Sequence, residues 1–304
     1  MFRFLRKKKI IVPDDYKNLI SSTDYETFIE QCLKVLQNLD VEVVSHDNGD
    51  IVYKGRSDKE SHYFLDNLVR QYVQADEKDK YLAIETHFKK LQETPYANEY
   101  LFKDYDYAKQ FLKVLVKPTD IAPKIEDFVT RLDYPNLLTV LVLDFEERFH
   151  YIRKDEADLW ATDNDELFKV ALNNISQEDI DIRKHLFDDK FDVFVLLSGD
   201  FSASFSLLIG SHLDFAIGNH GSLIGIPTKG TAFIHPISTK DVMDLTTSLY
   251  HEMEKFYNED PGNISMDFYW YDNNGFQTFD RIWNDDGSLT ISMPADLEIK
   301  INNE

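Results

Sequence analysis

From Phe191 to Ser238 the chain reads FDVFVLLSGDFSASFSLLIGSHLDFAIGNHGSLIGIPTKGTAFIHPIS, its longest nearly uncharged, apolar stretch. Whatever fold the chain adopts has to bury this segment. Asp192 to Leu197 is a short bulky run closed by Ser198-Gly199-Asp200, the pattern of a strand buried on both faces. Beyond it Phe201, Phe205, Leu208, Ile209, His212 and Phe215 recur at three-to-four-residue steps, which predicts one amphipathic helix over 201–217. Asp200 or Ser202 is placed to cap its start. Gly218-Asn219-His220-Gly221 then supplies a left-handed stop. A hairpin follows, with Leu223, Ile224 and Ile226 entering and Ala232, Phe233 and Ile234 leaving Pro227-Thr228-Lys229-Gly230.

The flanking sequence repeats this grammar. Thr23-Asp24-Tyr25-Glu26 reads as a capping box opening a helix with Phe28, Cys32, Leu36 and Leu39 on one face. Asp47-Asn48-Gly49-Asp50 between Val41–Ser45 and Ile51–Lys54 predicts a hairpin. Helical faces follow at Phe64, Leu65, Leu68, Val69 and Tyr72, and again over 78–92. Residues 108–116 fit either a helix end or a strand, and Pro118 and Pro123 bracket an internal linker. Leu137 to Leu143 reads as a buried strand paired with Phe149–Ile152. Helices are predicted around Leu167–Ile175 and, capped by Thr239, around Val242–Phe256. Asp272-Asn273-Asn274-Gly275 marks a last hairpin between Phe268–Tyr271 and Phe276–Phe279. The expected class is α+β, with mixed or antiparallel sheet layers and several hairpins packed against amphipathic helices. The expected organisation is a basic tail (1–22), an α+β region (23–122), an α+β core region (123–286) and a short tail (287–304).

The order of these landmarks resembles the YtpQ-like family of bacterial proteins, a domain of unknown function. The resemblance runs through Thr23–Asp50, then Leu137–Ile175 with Tyr151-Ile152-Arg153 and Asp165-Glu166-Leu167. It continues in Phe191–Ser206, Leu223-Ile224-Gly225-Ile226-Pro227 and Ile264-Ser265-Met266-Asp267-Phe268-Tyr269. It implies an α+β fold and the bacterial cytosol, and brings no established activity or catalytic residues. The chain departs from the family in its basic start, its acidity and its Thr228-Lys229-Gly230 turn.

Charge narrows the function classes. With 55 acidic against 33 basic residues the 304-residue chain carries a formal charge of −22. That argues against nucleic acid, whose phosphates need clustered Lys and Arg, and fits a basic protein partner. No stretch approaches the length of a membrane span, and MFRFLRKKKIIVP lacks the apolar region of a signal peptide, so a cytoplasmic protein is expected. Cys32, the single cysteine, sits in a helical pattern and reads as a buried thiol.

Catalytic templates fail one after another. His212, Asp214, His220 and His235 lie close in sequence without the spacing of a zinc site. The acids Asp155 to Glu166 lack the glycine of a calcium loop, and no phosphate-cradling motif occurs. No metal or cofactor is therefore expected. Ser198-Gly199-Asp200-Phe201-Ser202 has strand-to-helix topology without the nucleophile-elbow pattern. It would lie at the carboxyl end of a buried strand, where sheets tend to hold ligands, with Lys229 and His235 on the next hairpin to line it. Ser198, Asp200, Ser202, Lys229 and His235 are thus the candidate ligand-binding residues. Two readings stand: a non-enzymatic binding protein using its acidic surface or a hairpin edge, and a hydrolase or transferase of unrecognised type built on the Ser198–Ser202 turn and Lys229.

Overall fold

The computed structural model describes residues 10–47, 49–54, 60–93, 104–119, 125–145, 149–260, 262–284 and 286–303. The basic run at 1–9, Asn48, Pro123 and the corner at 146–148 lie outside the described residues. The chain divides into two compact units, one of Met1–Pro95 with Asn258–Gly262, the other of Tyr96–Tyr257 with Asn263–Glu304. Pro118, taken in the sequence as one bracket of a linker, closes a strand of the second unit.

In the first unit, helix α1 (Ser22–Asn38) starts two residues earlier than the capping box predicts, with Ser21 in place of Thr23 as its cap. Ser21 is the N-cap: its Oγ accepts from the Asp24 N–H at 3.1 Å and donates to the Asp24 carboxylate at 2.8 Å. Ser21 wins because Asp24 sits three residues on, where its charge also meets the helix dipole. Thr23 then falls inside the helix, its carbonyl receiving the Thr27 hydroxyl. Strands β1 (Val43–Asp47) and β2 (Asp50–Lys54) form the expected hairpin, with Gly49 at φ +76°. A third antiparallel strand, β3 (Glu60–Phe64), absorbs Phe64 and precedes helices α2 (Asp66–Gln74) and α3 (Lys80–Glu93). Phe28, Cys32, Leu36, Ile51, Leu68, Ile84 and Phe88 make the core. Burial pushes the Cys32 thiol pKa up, so the thiol stays protonated.

The second unit opens with α4 (Tyr105–Ala108) and strand β4 (Leu112–Pro118). Next come β5 (Thr130–Arg131), β6 (Leu137–Asp144) and β7 (Phe149–Tyr151). The run left open between helix and strand is β4, because its β-branched residues pair along the whole of β6, Leu112 with Leu143 through Pro118 with Leu137. β6 also pairs with β5 and β7. Helices α5 (Lys154–Ala157) and α6 (Asn164–Ile175, capped by Asp163) follow.

Strands β8 (Asp181–Phe187) and β9 (Phe191–Leu197) begin a six-stranded antiparallel sheet. After them come the short helices α7 (Ser202–Phe205) and α8 (Ile209–His212), then β10 (Ser222–Thr228) and β11 (Thr231–Pro236). Helix α9 (Val242–Glu259) leads to β12 (Phe268–Asp272) and β13 (Gly275–Thr278). The sheet order is β13-β12-β10-β11-β9-β8. Side chains alternate across it. Leu196, Ile224, Ala232, Ile234 and Tyr269 join the core shared with β4, β6 and α6. Val193, Val195, Leu223, Phe233, Phe268 and Trp270 pack on α9. The expected α+β class and its buried central strands are therefore present.

One expectation needs correcting. Residues 201–217 do not form one helix; α7, α8 and intervening 3-10 turns break at Leu208 (φ −89°, ψ 14°) and Leu213 (φ −130°, ψ 35°). The serines explain this in part: Ser206 Oγ donates to Ala203 O and Ser211 Oγ to Leu208 O, local bonds that compete with the helical ladder. Past Asp286, where the sequence allows a strand-like appendage or a frayed tail, a strand is present. β14 (Asp280–Trp283) pairs with β15 (Leu289–Ser292), and α10 (Ala295–Asn302) buries Leu297 in the α9 core.

Tyr134 ties the two layers of this unit together. It is buried, its hydroxyl donates to Ser206 Oγ at 2.8 Å, and its ring lies 4.8 Å from that of Tyr269. Burial raises its phenol pKa beyond any ordinary range. Tyr134→Phe removes one hydrogen bond while Ser206 keeps its bond to Ala203, so urea denaturation is expected to show a loss of about 1 kcal/mol with an unchanged slope.

Candidate functional site

The turn leaving β9 is closed from both sides. Ser198 N–H donates to Gly230 O at 3.0 Å, and Ala203 N–H donates to Lys229 O at 3.1 Å. Ser198 Oγ accepts from Phe201 N–H at 2.9 Å and from Ser202 Oγ at 3.0 Å. The β10–β11 hairpin is tighter than its sequence indicates, because Thr228 pairs with Thr231 and leaves only Lys229-Gly230 at the tip. That tip slides beneath the turn: a Cβ on Gly230 would lie 2.6 Å from Ser198 O. Lys229 is 3% exposed, with its Nζ 2.7 Å from Asp200 Oδ1, and Asp200 is 30% exposed.

Four of the five candidate residues, Ser198, Asp200, Ser202 and Lys229, therefore meet in space. His235 does not join them. It stands at the far end of β11, six residues and about 20 Å of extended chain from Lys229. It shares the α9-facing parity of Phe233, its Nδ1–H donates to Asp192 O at 2.7 Å, and burial lowers its pKa despite that bond. The two hydroxyls spend their hydrogen bonds inside the turn, and the Lys229 charge faces a carboxylate. This arrangement latches the hairpin tip to the strand end. Among the described residues no group of three His, Cys, Asp or Glu side chains is placed to hold a metal ion.

Lys113 strengthens the same corner. Its Nζ lies 2.7 Å from Asp144 and 2.5 Å from Glu178, and 4.5 Å from the centre of the Phe201 ring. Burial opposes its charge, but hydrogen bonds to the two carboxylates outweigh that and raise its pKa.

The most open feature is one that the sequence reading passed over. Among the described residues β8 is an edge strand paired only with β9, in unbroken register from Asp181↔Leu197 to Phe187↔Phe191. Six of its seven residues are exposed. Ile182, Lys184 and Leu186 share one face, beside Phe194 of β9 and Phe215, whose rings meet at 4.8 Å. Ile182 is 36%, Leu186 58% and Phe215 49% exposed, so an apolar stripe flanks the edge. The basic side chains are neutralised within the hairpin: Arg183 pairs with Asp181 at 2.8 Å and Lys184 with Asp192 at 2.8 Å. Asp188 and Asp189 form the hairpin tip at φ 50° and 52°. Two signals could have found this strand: the Ile-x-Lys-x-Leu alternation, and Asp-Asp, a pair that tolerates the left-handed turn.

No protein-family model matches the chain, and searches of curated proteins and of solved structures likewise find no match.

Proposed function

We propose that the chain is a non-enzymatic binding protein of the bacterial cytosol that takes an extended segment of a basic protein along β8. The carrying observation is a seven-residue edge strand with an exposed apolar stripe, in a chain of formal charge −22. An edge strand offers main-chain hydrogen bonds to an added strand, and pockets or stripes beside it select alternate side chains. Carboxylates surround this edge, from Asp179 and Asp181 at one end to Asp188 and Asp189 at the tip and Asp214 beside Phe215. They favour Lys or Arg on the incoming strand, and the overall charge speeds its approach. The same charge disfavours edge-to-edge pairing of two copies. Among the described residues no helix is long and apolar enough to cross a membrane, in keeping with this reading. Membership of the YtpQ-like family is part of the same proposal, resting on the order of its landmarks.

A labelled peptide alternating Lys with Val tests the reading against one alternating Glu with Val. The Lys peptide is expected to bind, to protect the amides of 181–187 from hydrogen exchange, and to weaken by about tenfold or more between low and 0.5 M salt. Ile182→Asp with Leu186→Asp, both on exposed positions, should remove the protection. Protection appearing elsewhere, or equal binding of the Glu peptide, would overturn the proposal.

A further inference from the structure

A groove of about 450 Å³ runs along α6, a volume within the range of small-molecule sites. Its walls are unlike the rest of this acidic surface. Arg131 of β5, Lys169 of α6 and His212 of α8 line it together, with Asp165 as the carboxylate among them, and Leu172 and Leu208 form an apolar floor. Arg131 is preorganised. Its guanidinium carbon sits 4.4 Å from the centre of the buried Phe168 ring, and its Nε donates to Asp133 Oδ2 at 2.9 Å. Stacking and that bond fix the plane of the fork on a side chain that lines the groove. Lys169 contacts Glu166 at 3.3 Å on an exposed helix face, a pairing weak enough to yield to a ligand.

We propose that this groove binds a small phosphorylated molecule. A planar arginine fork with a lysine ammonium and an imidazole beside it matches a phosphate monoester. The leucine floor takes a flat or apolar body, and Asp165 takes a hydroxyl or amino donor on it. The volume exceeds what an inorganic ion fills, and the formal charge of −22 excludes a long polyanion by repulsion. The site shares no residue with β8 and stands or falls independently of it.

Calorimetric titration of the full chain with AMP, inorganic phosphate and adenosine tests the proposal at low ionic strength. AMP is expected to bind with a dissociation constant below about 1 mM, with inorganic phosphate weaker and adenosine at least tenfold weaker than AMP. Lys169→Gln changes an exposed side chain that cannot disturb folding, and should weaken AMP severalfold. Arg131→Gln should weaken it by about tenfold or more. The proposal is overturned if neither AMP nor phosphate binds, if adenosine binds as well as AMP, or if Lys169→Gln and Arg131→Gln both leave AMP binding unchanged.

Discussion

Gly221→Ala is expected to destabilise the protein by at least about 3 kcal/mol, one of the two largest effects a single substitution should produce here. Gly221 has φ +91°, a conformation that side-chain-bearing residues rarely adopt. A Cβ there would stand 2.1 Å from Tyr271 O and 2.7 Å from Trp270 Nε1, so backbone and a buried indole would both have to move. Neither has room. Trp270 is buried and donates its Nε1–H to His220 O at 2.6 Å. Gly218 and Gly221 exchange backbone bonds of 2.9 and 3.0 Å, while Ile237 N–H donates to Gly221 O. The residue thus sits where β10, β11 and β12 are stitched together. Gly199→Ala is the control. Nothing lies within 4 Å of a Cβ at that position and its φ is ordinary, so its urea midpoint should shift by no more than about 0.5 kcal/mol. Equal effects of the two substitutions would contradict the register of this sheet.

What the sequence made legible was the part governed by local rules. Gly49 and Gly275 have positive φ at the turns that Asn-Gly pairs announced, and the uncharged run of β9 is a buried strand. Cys32, Phe28 and Leu36 fall on one buried stripe, as their spacing requires. What stayed hidden was set by tertiary context. β8 is a strand because β9 offers it a partner; its Ile-x-Lys-x-Leu alternation is a weak local sign set against a composition of Asp, Arg, Lys and His. Residues 202–216 keep helical spacing, but the hydroxyls of Ser206 and Ser211 and the close approach of the Tyr271 hydroxyl to Gly210 break the helix into turns. Four of the candidate site residues could be brought together on paper, because strand ends and hairpin tips neighbour one another in such sheets. Strand parity then separated His235 from them, since it lies at the far end of β11 with the α9-facing side chains.

The second large effect concerns the charge beneath that corner. Lys113→Met is expected to cost about 3 kcal/mol at pH 7, because it strands Asp144 and Glu178 without their shared cation in a mostly buried setting. It also removes the ammonium from the Phe201 ring, loosening the residue that follows Asp200 in the latch. The pH profile separates this account from simple loss of packing. In the native protein the Lys113 pKa is raised above its unfolded value, so its contribution is fully present below the unfolded pKa near 10.4 and disappears as pH rises through the folded pKa. The difference in unfolding free energy should therefore hold between about pH 7 and 9, and shrink above about pH 10.5 as Lys113 loses its proton. Replacing Asp144 by Leu and Glu178 by Met in the Lys113→Met background should recover most of the lost stability, since an apolar cluster of similar volume is often as stable as a buried ion group. A difference that stays flat across pH would assign Lys113 to packing alone, and leave the Lys229–Asp200 pair as the charge that holds the turn.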